Sequence, residues 1–187
     1  KYQTDKLNYK SEARFLRAYF YWELFLRYGP VPIVTEVLEP LGDKALNNYQ
    51  TRPTIKQYVV DFILDELTDC EEGLMPYSDG VRAANHGRIS KPMARALYSR
   101  VMLYMASDRF RSESGITWAQ AAEAAESFIN DFGANYQLYT AGADGITRYT
   151  DAIIRTPYEG NNKEVIFYRN DGTISWYAIE NDSPVGE

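Results

Sequence analysis

Residues 12 to 36 read EARFLRAYFYWELFLRYGPVPIVTE, and no other stretch limits the possible folds so tightly. Seven of the fifteen residues from Arg14 to Tyr28 are aromatic: Phe15, Tyr19, Phe20, Tyr21, Trp22, Phe25 and Tyr28. The pattern predicts a helix from Ser11 to Tyr28, with Ser11 as N-cap and Gly29 as the residue just past its end. Pro30 cannot continue a helix, and Val31-Pro32 predicts an extended exit running to Pro40. At 100° per residue, Phe15, Ala18, Tyr19, Trp22, Phe25 and Leu26 form one wide apolar face. Ala13, Leu16, Phe20 and Leu24 form a second. Two apolar faces predict burial between two layers, as inside a bundle or an α-solenoid, with Trp22 almost inaccessible.

Three further helices carry their own punctuation. Thr54-Ile55-Lys56-Gln57 is a capping box, and the helix it opens is expected to reach Glu72 and stop at Gly73. Ile55, Tyr58, Val59, Phe62, Ile63 and Leu67 give it an apolar stripe; Asp61, Asp65, Glu66 and Asp69 fall off that stripe and read as a solvated acidic face. Met75-Pro76 closes it, and residues 76 to 89 form a loop. Ser90 is expected to cap a third helix, with Pro92 in its first turn and Met93, Leu97, Val101 and Tyr104 along one side. Thr117 to Gln120 is a second capping box. It opens an alanine-rich helix that ends at Phe132-Gly133. Beyond 133 the helical pattern fades. Glu164 to Tyr168 and Thr173 to Tyr177 read as two strands about the turn Asn170-Asp171-Gly172. The expected fold is mainly α: TPR-like stacked helical hairpins with a small β-hairpin near the C-terminus. It forms one domain over 1–187, with a helical core at 11–132 and a loop-rich segment at 133–187. Helix starts near 11, 54, 90 and 117 are uneven, so a strict repeat of about 34 residues is absent.

Composition narrows the function. A net charge of −6 and a pI near 5.0 argue against nucleic-acid binding, which needs a basic footprint. The lone cysteine, Cys70, lies mid-helix and reads as a small buried apolar residue. No apolar run reaches the roughly 18 residues that a membrane span needs. There is one histidine, His86, in a loop, with no phosphate loop, no His-Glu-x-x-His and no paired cysteines. No catalytic residue, metal ligand or cofactor is therefore assigned. Asp79, Asp144, Asp171 and Asp182 fall in turns without an EF-hand pattern and read as turn formers. Sixteen tyrosines and three tryptophans are a large load of flat rings with a polar edge. Those outside the helical stripes are the candidates for stacking on a sugar: Tyr49, Tyr77, Tyr158, Trp176 and Tyr177. For each, local packing is the stronger competing explanation.

Glu12 to Ala18, the aromatic helix, Gly29, Val31-Pro32 and Thr35-Glu36 together resemble the SusD/RagB family of outer-membrane nutrient-binding lipoproteins. Gly87-Arg88-Ile89-Ser90-Lys91 with the helix after it, Trp118-Ala119-x-Ala121, and Asn161 to Phe167 fit the same family in the same order. The resemblance implies a surface-exposed lipoprotein of the outer membrane that captures oligosaccharide or polysaccharide. It would pass its cargo to a SusC-like TonB-dependent transporter without breaking a bond. Family proteins are much longer, so the chain is expected to be a fragment whose membrane contact is a lipid anchor outside it. The competing class is a TPR-like scaffold that binds only protein. A weaker third is a glycan-cleaving enzyme, since paired carboxylates need only spatial closeness.

Overall fold

A computed structural model describes residues 2–37, 49, 51–76, 88–140, 144–150 and 163–166. Among them the chain is mainly helical, with no strand and one isolated parallel bridge from Met75 to Ser90. Helix α1 spans Tyr2–Tyr28. Helix α2 changes its winding along its length. It is a π-helix over Lys56–Leu64, an α-helix over Asp65–Cys70 and a 3-10 turn over Glu71–Gly73. Helix α3 is Lys91–Met105, α4 is Arg111–Ser114, and α5 is Trp118–Phe132, which ends in a 3-10 turn at Gly133–Asn135. A short α6 covers Gly145–Thr150. Of the expected β-hairpin, only residues up to 166 are described, and they form no strand; the rest lies outside the described residues.

Helices α1 and α2 run antiparallel, since Asn8 meets Gly73, Arg17 meets Glu66 and Tyr21 meets Tyr58. Helix α3 packs along α5, and α2 against α3 joins the two pairs. The core lies where the pairs meet. Phe15, Trp22, Tyr58, Ile63, Leu67, Val101 and Met105 are all buried there. Trp22 is 2% exposed, as its position on the wider face predicts. Its ring stacks on Phe25 at 5.5 Å and meets the edge of Tyr104 at 5.3 Å. Phe25 in turn meets Phe110 at 5.6 Å. Each such side chain withdrawn from water contributes about 1.5–3 kcal/mol.

The local signals largely behave as their chemistry dictates. Gly29 has φ +69°, and its amide closes on the Phe25 carbonyl at 2.9 Å. The Thr54 box is closed from both sides, with Gln57 N–H donating to Thr54 Oγ1 at 3.2 Å and Thr54 N–H to Gln57 Oε1 at 3.0 Å. The Thr117–Gln120 box forms in the same way. Ser90 is extended but makes no side-chain cap; the Lys91 amide there donates to the Met75 carbonyl at 2.9 Å. Tyr21 pins the extended exit: its hydroxyl accepts from Val34 N–H at 2.8 Å.

Five expectations are corrected by packing. Helix α1 starts at Tyr2, not Ser11, and Ser11 is a buried mid-helix residue. It is small because α1 crosses Gly73 there. Gly73 is itself no left-handed stop, since it lies within the 3-10 turn. A Cβ on it would lie 2.5 Å from Ser11 Oγ and 2.8 Å from the Leu7 carbonyl oxygen. The first half of α2 is π-wound, and five-apart pairs then align: Tyr58 with Ile63 and Val59 with Leu64 are buried, while Phe62 is only partly so. Glu66 is not on a solvated face but is 7% exposed, held by arginines of α1. Finally, the second apolar face of α1 has no cover among the described residues. Phe20 is 58% exposed, and Ala13, Leu16 and Leu24 are exposed with it.

Candidate ligand-binding site

The charged residues of the first motif pair with residues outside α1. Arg17 reaches Glu66 Oε2 through Nε at 3.1 Å and Nη2 at 2.6 Å. Arg14 spans Glu66 at 3.4 Å and Asp69 at 2.9 Å. A carboxylate this buried is tolerated because two guanidinium groups face it. On the other flank of α1, Arg88 donates to Glu12 at 3.0 Å and to Asn8 Oδ1 at 2.6 Å. Asn8 Nδ2 continues the chain of bonds to the Gly73 carbonyl at 3.0 Å. The motif at 12–18 and the motif at 87–91 are thus two halves of one clamp.

Of the five candidate aromatics, Tyr49 is described, and it lines a groove of about 230 Å³ with Pro32, Ile33, Arg52 and Gln57. The groove forms where the extended exit of α1 passes the start of α2. Arg52 is fixed by its Nη1, which donates to the Tyr28 carbonyl at 2.8 Å, a cation placed on the last turn of α1. The Tyr49 hydroxyl donates to Glu36 at 2.9 Å, and that bond to a carboxylate raises the phenol pKa above its ordinary value. One aromatic ring, a guanidinium and an amide around a small cleft can stack and hydrogen-bond a hydroxylated ring. Tyr77, Tyr158, Trp176 and Tyr177 lie outside the described residues, as does His86. Among the described residues, no cluster of three His, Cys, Asp or Glu could hold a metal ion, and no helix is long and apolar enough to cross a membrane. Cys70 is fully buried; burial pushes its thiol up to about 12.

A second, larger groove of about 410 Å³ escaped the sequence reading. It lies between α2, α3 and α5, and its lining includes Glu71, Arg95, Tyr98, Met102, Gln120 and Glu123. Arg95 binds Glu71 in a two-pronged pair at 2.6 and 2.7 Å and donates to Ser127 at 2.8 Å. Burial raises the Tyr98 phenol pKa. Nothing local marks these residues, because the groove exists only once three helices have docked.

The described residues form paired helices with two grooves lined by aromatic, amide and charged side chains. A family model described as SusD-like, starch-binding and associating with the outer membrane matches residues 1–103, more than half of the 187. The chain belongs to this SusD-like family. A solved structure of a SusD-like protein from Bacteroides fragilis matches with 27% identity and a TM-score of 0.67, over 93% of this chain and 29% of that one. The structure of a protein called BT4246 matches with 21% identity and a TM-score of 0.56, over 73% of this chain and 26% of that one, and shows the fold alone. The chain thus spans under a third of either relative. No curated protein matches it.

Proposed function

We propose that this chain is part of a non-catalytic protein that captures oligosaccharides at the outer-membrane surface and delivers them to a SusC-like TonB-dependent transporter. The observation that carries the reading is membership of a family described as starch-binding and outer-membrane-associated. The Tyr49 groove supports it by offering a ring face beside Arg52 and Gln57. At about 230 Å³ the groove is below the usual 300–1,000 Å³ of a complete ligand site, so it is one subsite of a larger surface. Tyr77, Tyr158, Trp176 and Tyr177 remain proposed contributors. The surface location and lipid anchor belong to the same proposal. The test is electrophoresis of the chain through gels cast with soluble starch or other polysaccharides. Retardation that Tyr49→Ala weakens supports the reading. Mobility indifferent to every polysaccharide refutes it for this chain, and release of reducing ends would refute the non-catalytic part.

One observation favours a second reading, a TPR-like stack that binds protein. The exposed seam Tyr9, Ala13, Leu16, Phe20 and Leu24 runs along the outer side of α1. Its spacing of three and four residues is that of a helix-packing face. The readings separate on two measurements: glycan retardation that Tyr49→Ala weakens supports capture, whereas no retardation with any polysaccharide, together with self- or partner association that Phe20→Asp abolishes, supports the protein-binding stack.

A further inference from the structure

We infer that the groove between α2, α3 and α5 is a second saccharide subsite, selective for a neutral sugar ring. The inference rests on the glycan-capture reading but concerns a different place on the molecule. At about 410 Å³ the groove falls within the size range of small-ligand sites, unlike the Tyr49 cleft. Its lining includes the Tyr98 ring and the nearly buried Met102, the aromatic and apolar groups that the C–H face of a pyranose packs against. Its walls hold hydrogen-bonding groups with capacity to spare among the described residues. Glu123 is exposed and forms no ion pair there. The Gln120 oxygen is taken by the Thr117 cap at 2.9 Å, which turns the amide so that its NH2 remains available.

Charge sets the selectivity. Arg95 is matched by Glu71, to which it donates at 2.6 and 2.7 Å, so that pair presents no net charge to the groove. The Ser127 hydroxyl accepts from Arg95 at 2.8 Å and holds the guanidinium edge still. Glu123 then leaves the lining net negative. A neutral sugar can accept from the amide and donate its hydroxyls to the Glu123 carboxylate, a charge-assisted bond. A uronic acid would place a second carboxylate against Glu123 and is disfavoured. Rigid placement supports the assignment, because all three walls are helices tied by the Arg95 bonds rather than loops.

The test uses the full 187-residue chain with 13C-methyl methionine. Met102 lines the groove and is one of four methionines, assigned through Met102→Leu. Maltoheptaose, xylohexaose, chitohexaose and hexagalacturonate are titrated while the Met102 methyl shift is followed by NMR and heat by calorimetry. Expected is a saturable Met102 shift with at least one neutral oligomer, and binding of hexagalacturonate at least tenfold weaker. Tyr98→Ala and Glu123→Ala each weaken the Met102 dissociation constant, by about tenfold and threefold. Glu123 is exposed and alanine favours helix, so that variant keeps its fold even where Tyr98→Ala does not. Binding heat that Tyr49→Ala abolishes, with Met102 unmoved, overturns the second subsite and leaves glycan capture standing. No heat with any neutral oligomer overturns both. A Met102 shift that hexagalacturonate produces equally well, or that Glu123→Ala leaves untouched, overturns the assignment of groups within the groove.

Discussion

Gly73→Ala is the sharpest probe of how α1 and α2 meet. The added Cβ would lie 2.5 Å from Ser11 Oγ, 2.7 Å from Leu7 Cγ and 2.8 Å from the Leu7 carbonyl oxygen. Carbon contacts relax at about 3.5–4.0 Å, so something must retreat by roughly an ångström. The two side chains can rotate away. The carbonyl cannot, because it belongs to the α1 backbone. Moving α1 also stretches the 3.0 Å bond from Asn8 to the Gly73 carbonyl, and through Asn8 the 2.6 Å bond to Arg88. Overpacking of this kind costs about 1–3 kcal/mol, and a weakened hydrogen bond about 0.5–1.5 kcal/mol. Replacing glycine in a helical turn returns about 0.5–1 kcal/mol. The net loss is about 2 kcal/mol. With a urea slope of about 2 kcal/mol/M, the midpoint followed by circular dichroism falls by about 1 M. Leu7→Ala in the same chain should recover only part of the loss, since the carbonyl clash persists. A Gly73→Ala chain as stable as the parent, or more stable, would refute close approach as the reason for glycine at this position.

Trp22→Ala should lose about 3–5 kcal/mol in the same melts, because the ring is enclosed by Phe25 and Tyr104; a loss under about 1 kcal/mol would mean α1 is peripheral. Arg17→Ala should cost about 1.5–3 kcal/mol, since Glu66 is left with only the 3.4 Å contact to Arg14, and Glu66→Gln in the same background should recover part of it. The Cys70 thiol, raised from 9.0 to about 12 by burial, should resist an aromatic disulfide reagent until the chain unfolds. Its folded pKa exceeds its unfolded one, so the folded state holds the extra proton between those values. The stability this represents is whole below pH 9.0 and is lost as pH rises towards about 12. Cys70→Ala should flatten that part of the alkaline profile relative to the parent, and an unchanged slope would contradict it. We also propose that residues 11–132 are the folding core of a single domain: a chain ending at Asn135 should keep its helical spectrum and a cooperative melt, and a gradual melt would count against it.

The ends of the longer helices that carry a capping box or a terminal glycine were legible because those signals are local, whereas the start of α1 at Tyr2 carries no such signal and was missed. A capping box spans four residues, and Thr54 and Thr117 close theirs wherever the rest of the chain lies. Gly29 ends α1 for the same reason: its φ of +69° suits a residue with no Cβ. The burial of Trp22 was readable from periodicity, because a helix has one fixed pitch. The Tyr49 cleft was half legible: the residue was identifiable, but Arg52 and Gln57 join it only through the fold. Other features depended on residues far apart in sequence. Glu66 looks like its acidic neighbours until Arg14 and Arg17 arrive from 52 and 49 residues away. Gly73 looks like a helix stop until Leu7 and Ser11 press on it. Ala13, Leu16, Phe20 and Leu24 are as apolar as the opposite face, and only packing leaves them outside. Local backbone chemistry therefore sets where this chain is helical and places its family motifs. Which charges are buried, which apolar face stays open and where grooves form is decided by docking, because each of these properties belongs to two helices at once.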